Sequence, residues 1–403
     1  MHEPLKLSPD SQSLQLGRAA GRMTVVGLVL AAAGFGVACA LGLGAEMRGL
    51  FFHAYLVSFS FYLSIALGAL FLVLLHHLAR AGWSVTTRRL AEGLSGNVWL
   101  LAVLAVPLVL GMKDLYAWAD PLAAKEPFLA AKAVYLNPAA VAERLVGCFA
   151  VWGFLAWFFR SRSIRQDTQG DVRLSVAMDR VSAPGMIALA VTVTLFSIDF
   201  LMSLAPRWSS TIFGVYVFTD VVLAGLAVLT LLALGLQHSG RLAGVITTEH
   251  YHDLGKLLFT LVFFWGYIAF SQYMLMWYAN MPEETAFYLP RQAGPWAAVS
   301  LVLLFCHLVI PFVGLLSHRA RRNLWVLGFW SVWLLAAIVL DYFWLVMPNI
   351  RGALEPASLA VTGGLLLGMG GLLLASTAWL LAGVPLVPVA DPRLQESLTF
   401  ENR

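Results

Sequence analysis

The sequence predicts an all-α polytopic membrane protein of ten transmembrane helices, built as two parallel-repeat four-helix bundles with one more helix on either flank. Three observations predict it. The 403 residues are 60% hydrophobic and only 12% charged, with a mean hydropathy of +0.79. That is about half the charge of a soluble domain. The apolar runs are long and continuous, which suits membrane helices and not barrel strands. An acidic residue in an apolar helix is followed seven positions later by proline twice, at Asp199 with Pro206 and at Asp341 with Pro348.

Taken in order, residues 1–22 are polar and read as a cytoplasmic tail without a cleavable signal, since the first apolar run is already a full span. Span 1 is expected at 23–44 and span 2 at 51–78. Span 3 starts amphipathically near Val85 and becomes apolar over 98–112. Spans 4, 5 and 6 fall at 138–159, 182–205 and 210–236. Spans 7 to 10 fall at 254–279, 295–316, 324–347 and 358–381, and 384–403 form a second cytoplasmic tail. Each span has about 20 residues or more, enough for ~30 Å of hydrocarbon.

Ten spans put both ends on one side. Of the 26 Lys and Arg residues, 18 fall in terminal-side segments and 8 opposite. The positive-inside rule then places both termini in the cytoplasm. The same clustering in short loops explains the +4 net charge as orientation rather than nucleic-acid binding.

The repeat is read from polar matches. Shifted by 161 residues, Tyr55 meets Tyr216, Ser58 meets Thr219, His77 meets His238 and Glu92 meets Asp253. Cys148 meets Cys306 at a shift of 158, and Asp199 meets Asp341 at 142. The expected units are 51–208 (spans 2–5) and 209–350 (spans 6–9), flanked by helices within 23–50 and 351–383. Both bundles run the same way, so the axis relating them lies along the membrane normal.

Candidate functional residues are the polar groups inside these spans. A carboxylate near mid-bilayer costs roughly 2.5 to 3.5 kcal/mol to insert, so Asp199, Asp341 and Asp220 must face protein or water. They read as proton-relay candidates, against the alternative of structural carboxylates paired with cations. His307, midway along span 8, is either a relay or a hydrogen-bonded structural residue. Glu143 with Arg144, Lys113 with Asp114, and His53 lie at the outer ends of spans 4, 3 and 2. With Asp199 they form one outward polar cluster, or else ordinary interfacial anchors. Glu249, His250, His252, Asp253 and Lys256 precede span 7 as a proton entry funnel or a solvated helix start.

Several functions are excluded by the pattern. Cys39, Cys148 and Cys306 all lie inside apolar spans, and no CxxC or CxxCH occurs. No haem, iron–sulfur cluster or metal is expected, because no two histidines pair at matched depth across one bundle. A secondary transporter is the rival from another class, but Pro107 and Pro311 do not correspond under the repeat, as broken transport helices would.

The stretches SIDFLMSLAPRWSSTIFGVY, HDLGKLLFTLVFFWGYIAFSQYMLMWYANMPEE, HLVIPFVGLLSHRARRN and DPRLQESL, with GWSVTTRRLAE and KAVYLNP, resemble one family. It is the smaller polysulfide-reductase-type (NrfD-like) membrane subunit of bacterial alternative complex III, a quinol:electron-acceptor oxidoreductase. The resemblance implies a ten-helix subunit without its own redox centre. Its implied partners are a larger homologous NrfD-like subunit, an iron–sulfur/molybdopterin-like subunit and c-type cytochrome subunits. The family's smaller subunit is labelled quinone-binding and linked to proton translocation, so Asp199, Asp341, His307, Lys113 and Asp114 become its relay residues. Asp220 departs from the family pattern, where a small neutral residue is expected. The chain is then non-catalytic on its own, and a structural scaffold with no proton transfer is the alternative.

Overall fold

The computed structural model describes residues 12–122 and 126–402; residues 1–11 of the expected tail, Lys125 and Arg403 lie outside the described residues. Ten helices are long and apolar enough to cross a membrane, and no strand occurs among the described residues. Spans 1 to 5 are Arg18–Gly42, Arg48–Leu78, Val85–Leu110, Pro138–Gln169 and Val172–Leu204. Spans 6 to 10 are Phe213–His238, Thr248–Ala279, Pro295–Leu316, Leu324–Asn349 and Pro356–Leu381.

Hydropathy located the crossings, but two helices run well past them. Span 4 continues ten residues beyond its expected end, and span 5 starts ten residues early. Polar side chains such as Arg160, Arg162 and Arg165 close the apolar run without breaking the helix. Gly170, at φ +63°, turns the chain in the left-handed region, and the Asp171 side chain caps span 5 at the Arg173 amide. Two long helices therefore form a hairpin on the terminal side.

Span 2 is buried along nearly its whole window and span 6 along most of it, so these two form the centre. Spans 3, 4 and 5 pack around span 2, while spans 7 and 9 pack on span 6 and span 8 leans on 7 and 9. The two groups meet where span 2 crosses span 6 at Gly68 and Gly225. A Cβ on Gly68 would run into the Val221 carbonyl, and one on Gly225 into the Gly68 backbone. Small residues allow this approach, since apolar helices in lipid gain little by merely hiding apolar surface. Gly68→Val should therefore separate the groups, read as loss of folded protein in detergent. A protein that accumulates and melts like wild type would contradict the crossing. Spans 1 and 10 pack on each other through Gly27, Gly34, Gly364, Gly368 and Gly371, and span 10 rests on span 2.

The C-terminal segment folds back across the terminal-side face. Leu386 donates its amide to the Leu14 carbonyl at 2.7 Å, and the Ser397 hydroxyl bonds the Trp83 carbonyl at 2.5 Å. Beneath it lies a buried ionic network. Arg88 meets Asp391 at 2.6 Å, while Arg89 meets Asp167 at 2.7 Å and Glu92 at 3.0 Å. Asp179 lies 3.4 Å from Arg393 and 3.2 Å from His77. Every buried acid of this network has an arginine partner.

Candidate functional site

The two acidic, proline-terminated helices end in similar ways but treat their carboxylates differently. Proline has no N–H, so the carbonyl four residues before it loses its helical donor. At the end of span 9, Pro348 leaves the Trp344 carbonyl open. Arg291 fills the gap, donating to Trp344 O at 3.2 Å, Leu345 O at 2.7 Å and Phe287 O at 2.7 Å. Burial pushes the Arg291 guanidinium down to about 9, which still leaves it charged at neutral pH. At the end of span 5, the Tyr116 hydroxyl donates to Phe200 O at 2.9 Å, and the Trp118 indole to Ser203 O at 3.2 Å.

Asp199 sits in a π-helical turn, Ser197–Leu201, and is held by Arg144 of span 4 through two hydrogen bonds of 2.7 and 3.1 Å. Arg144 also stacks its guanidinium 4.0 Å from the Tyr135 ring centre. Burial, with Asp199 nearby, pushes the Tyr135 hydroxyl up to about 12 and Tyr116 well above its ordinary value. Ser203 shares the Asp199 face, yet its hydroxyl bonds the Asp199 backbone carbonyl rather than the carboxylate. This arrangement fits the paired, structural alternative for Asp199.

Asp341 has no such cation. Its carboxylate accepts from the Tyr216 hydroxyl of span 6 at 2.5 Å and from the Trp265 indole of span 7 at 2.9 Å. Asp220 of span 6 and His307 of span 8 complete the group. His307 lies 3.6 Å from Asp220 and 3.9 Å from Asp341, and the donor atoms of all three lie within 4.8 Å of one another. All three residues are fully buried. Among the described residues, both oxygens of Asp220 and both ring nitrogens of His307 lack a hydrogen-bond partner.

Local sequence explains how His307 reaches this place. Pro311 cannot donate, and its ring crowds the preceding turn. Span 8 widens there into a π-helical turn, Leu304–Val309, and the Cys306 carbonyl is taken instead by the Trp333 indole at 2.7 Å. The turn rotates His307 inward, where it stacks on Trp265 with ring centres 3.9 Å apart. Such turns often occur where function needs a side chain re-aimed. Span 9 is fixed beside them by the Tyr342 hydroxyl, 2.6 Å from Ser64 of span 2.

The electrostatic consequence is specific. Among the described residues no Lys or Arg pairs with Asp220 or Asp341, whereas each acid of the network under the C-terminal segment has an arginine partner. A bare buried pair of carboxylates is too costly to persist. One proton leaves the carboxyl pair with one negative charge, and a second neutralises it. The group thus has capacity for two exchangeable protons, held jointly rather than by one residue. Its dimensions and donor set would also admit a small cation.

Beside the cluster, between spans 7 and 8, lies a mainly apolar cavity of about 640 Å³. Tyr216 and Trp265 line it, so the wall between cavity and Asp341 is one side chain thick. Tyr288, Arg291 and Gln272 place it in the half of the membrane away from the termini. Burial pushes the Tyr288 hydroxyl up to about 12.

The other sequence candidates are dispersed. Asp114 pairs with Arg48 at 3.0 Å, and Lys113 and Glu143 are exposed. His53 is buried, with Nδ1 2.8 Å from its own helix's Gly49 carbonyl. Asp253 pairs with Lys256 and Glu249 with Arg322, while His250 caps span 7 through the Thr247 amide at 3.1 Å. That group behaves as a helix start. Tyr216, Trp265 and Arg291 were not singled out for function; the signal for Arg291 was the donorless residue at Pro348.

Compared with models of known protein families the chain matches none, and compared with curated proteins it has no significant match.

Proposed function

We propose that this chain is a membrane subunit of a quinol-oxidising, electron-acceptor-reducing respiratory complex, serving in assembly and in proton translocation. The observation that carries the proton role is the Asp220–His307–Asp341 cluster: buried, without a cationic partner, and one side chain from a lipid-level cavity. The resemblance to the smaller NrfD-like subunit of alternative complex III supports the respiratory assignment. On this reading the redox chemistry belongs to the larger homologous subunit, the iron–sulfur/molybdopterin-like subunit and the c-type cytochromes. The chain holds no redox centre of its own and contacts quinone at most from the lipid side. Charge asymmetry supports cytoplasmic termini, and the resemblance supports a bacterial inner membrane.

The scaffold reading keeps one specific support. Asp199, the repeat partner of Asp341, is neutralised by Arg144, so the first bundle is built as structure. Proton transfer then belongs to the second bundle alone.

Mild-detergent purification of a tagged copy tests the assignment. The larger subunit, an iron–sulfur protein and c-type cytochromes should co-purify. Recovery alone, monodisperse and colourless, contradicts it and favours a transporter. A second expectation separates protons from a resident ion: exhaustive chelation leaves turnover unchanged and metal analysis finds no stoichiometric ion. Activity lost to chelator and restored by one cation would assign the cluster to that cation.

A further inference from the structure

Tyr216 is the only side chain whose hydroxyl both lines the cavity and hydrogen-bonds the acidic cluster among the described residues. Trp265 shares the wall, but an indole N–H donates without accepting and cannot pass a proton on. Along span 6 the polar route stops towards the terminal side. Span 6 continues from Asp220 as VVLAGLAVL, with no polar side chain before Thr230, and Gly225 there is closed against Gly68. We infer that the cluster exchanges protons with the membrane side away from the termini through water admitted to the cavity between spans 7 and 8 and through the Tyr216 hydroxyl. The inference rests on the relay reading of the cluster.

The step balances. Tyr216 gives its hydroxyl proton to Asp341 Oδ1, 2.5 Å away, while its oxygen takes a proton from a water molecule in the cavity. One O–H bond breaks as another forms, no charge stays on the tyrosine, and the water passes its deficit back to bulk. The reverse sequence empties the cluster.

The test uses the full-length protein in its native assembly, in lipid nanodiscs. Infrared spectroscopy follows hydrogen–deuterium exchange at the carboxylic-acid band of the cluster, assigned with Asp341→Asn and Asp220→Asn. Tyr216→Phe keeps the ring and removes the relay oxygen. Ala269→Phe fills the cavity without touching the cluster, and serves if the first variant fails to fold. Both should slow exchange at least about tenfold. Tyr55→Phe removes a buried hydroxyl that faces the Leu104 carbonyl instead, and should leave the rate as in wild type. Unchanged rates in Tyr216→Phe and Ala269→Phe overturn the inference but leave the relay standing. Equal slowing in Tyr55→Phe also overturns it, because the effect would then be structural. Absence of exchange in wild type overturns the relay itself.

Discussion

Asp341→Asn, and separately Asp220→Asn, should lower proton-coupled turnover of the intact complex about a hundredfold or more, while the complex still assembles. The size follows from removing a positioned proton acceptor, typically worth about 10²–10⁴. Asparagine keeps the shape; its oxygen can accept from Trp265 while its amide N–H donates to the Tyr216 hydroxyl, so packing around Asp341 survives. What it loses is the exchangeable proton. Neither substitution strands a buried cation, because among the described residues no Lys or Arg pairs with either carboxylate. Asp199→Asn should behave in the opposite way. It leaves Arg144 without its partner at 2.7 Å, so stability falls while turnover of the surviving protein is retained. Turnover measured per assembled complex separates the two outcomes. Equal loss of turnover in all three variants would mean that the repeat positions share one role.

Arg89→Met carries the largest expected effect on stability. Its side chain is fully buried and faces Asp167 at 2.7 Å and Glu92 at 3.0 Å. Removing one partner of a buried pair costs about 3–5 kcal/mol, and here two acids lose theirs. Glu92 suffers most, since neither of its oxygens has a hydrogen-bond partner besides the arginine's charge. The variant should fail to accumulate in the membrane. Adding Glu92→Leu removes one stranded charge and should recover part of the loss, measured as folded protein after detergent extraction. Wild-type yield for Arg89→Met would show that the network contributes little.

The crossings were legible because hydropathy over about 20 residues reports membrane thickness directly. It could not report where helices stop in water, so the hairpin of spans 4 and 5 was hidden. Asp220, His307 and Asp341 were each visible as costly buried groups. Their grouping was not, because it depends on how spans 6, 8 and 9 rotate about their axes. One π-helical turn in span 8 decides the direction of His307. The repeated acid and proline were informative about helix ends, where carbonyls need donors, and silent about the carboxylates. Whether Asp199 or Asp341 meets an arginine depends on Arg144 in span 4, whose counterpart in span 8 at the same shift as the cysteines is Val302. In the sequence, Arg88 and Arg89 are only part of the terminal-side positive charge. Only the fold brings Asp167 and Asp391 to them.

The most direct test is an infrared difference spectrum of the wild-type assembly at neutral pH, taken in water and then in deuterium oxide. A buried carboxylic-acid band that shifts on exchange, vanishes in both Asp220→Asn and Asp341→Asn and persists in Asp199→Asn is the expected result. It would place exchangeable protons on the cluster. A spectrum with no such band, or one unchanged in both cluster variants, would contradict the proton role.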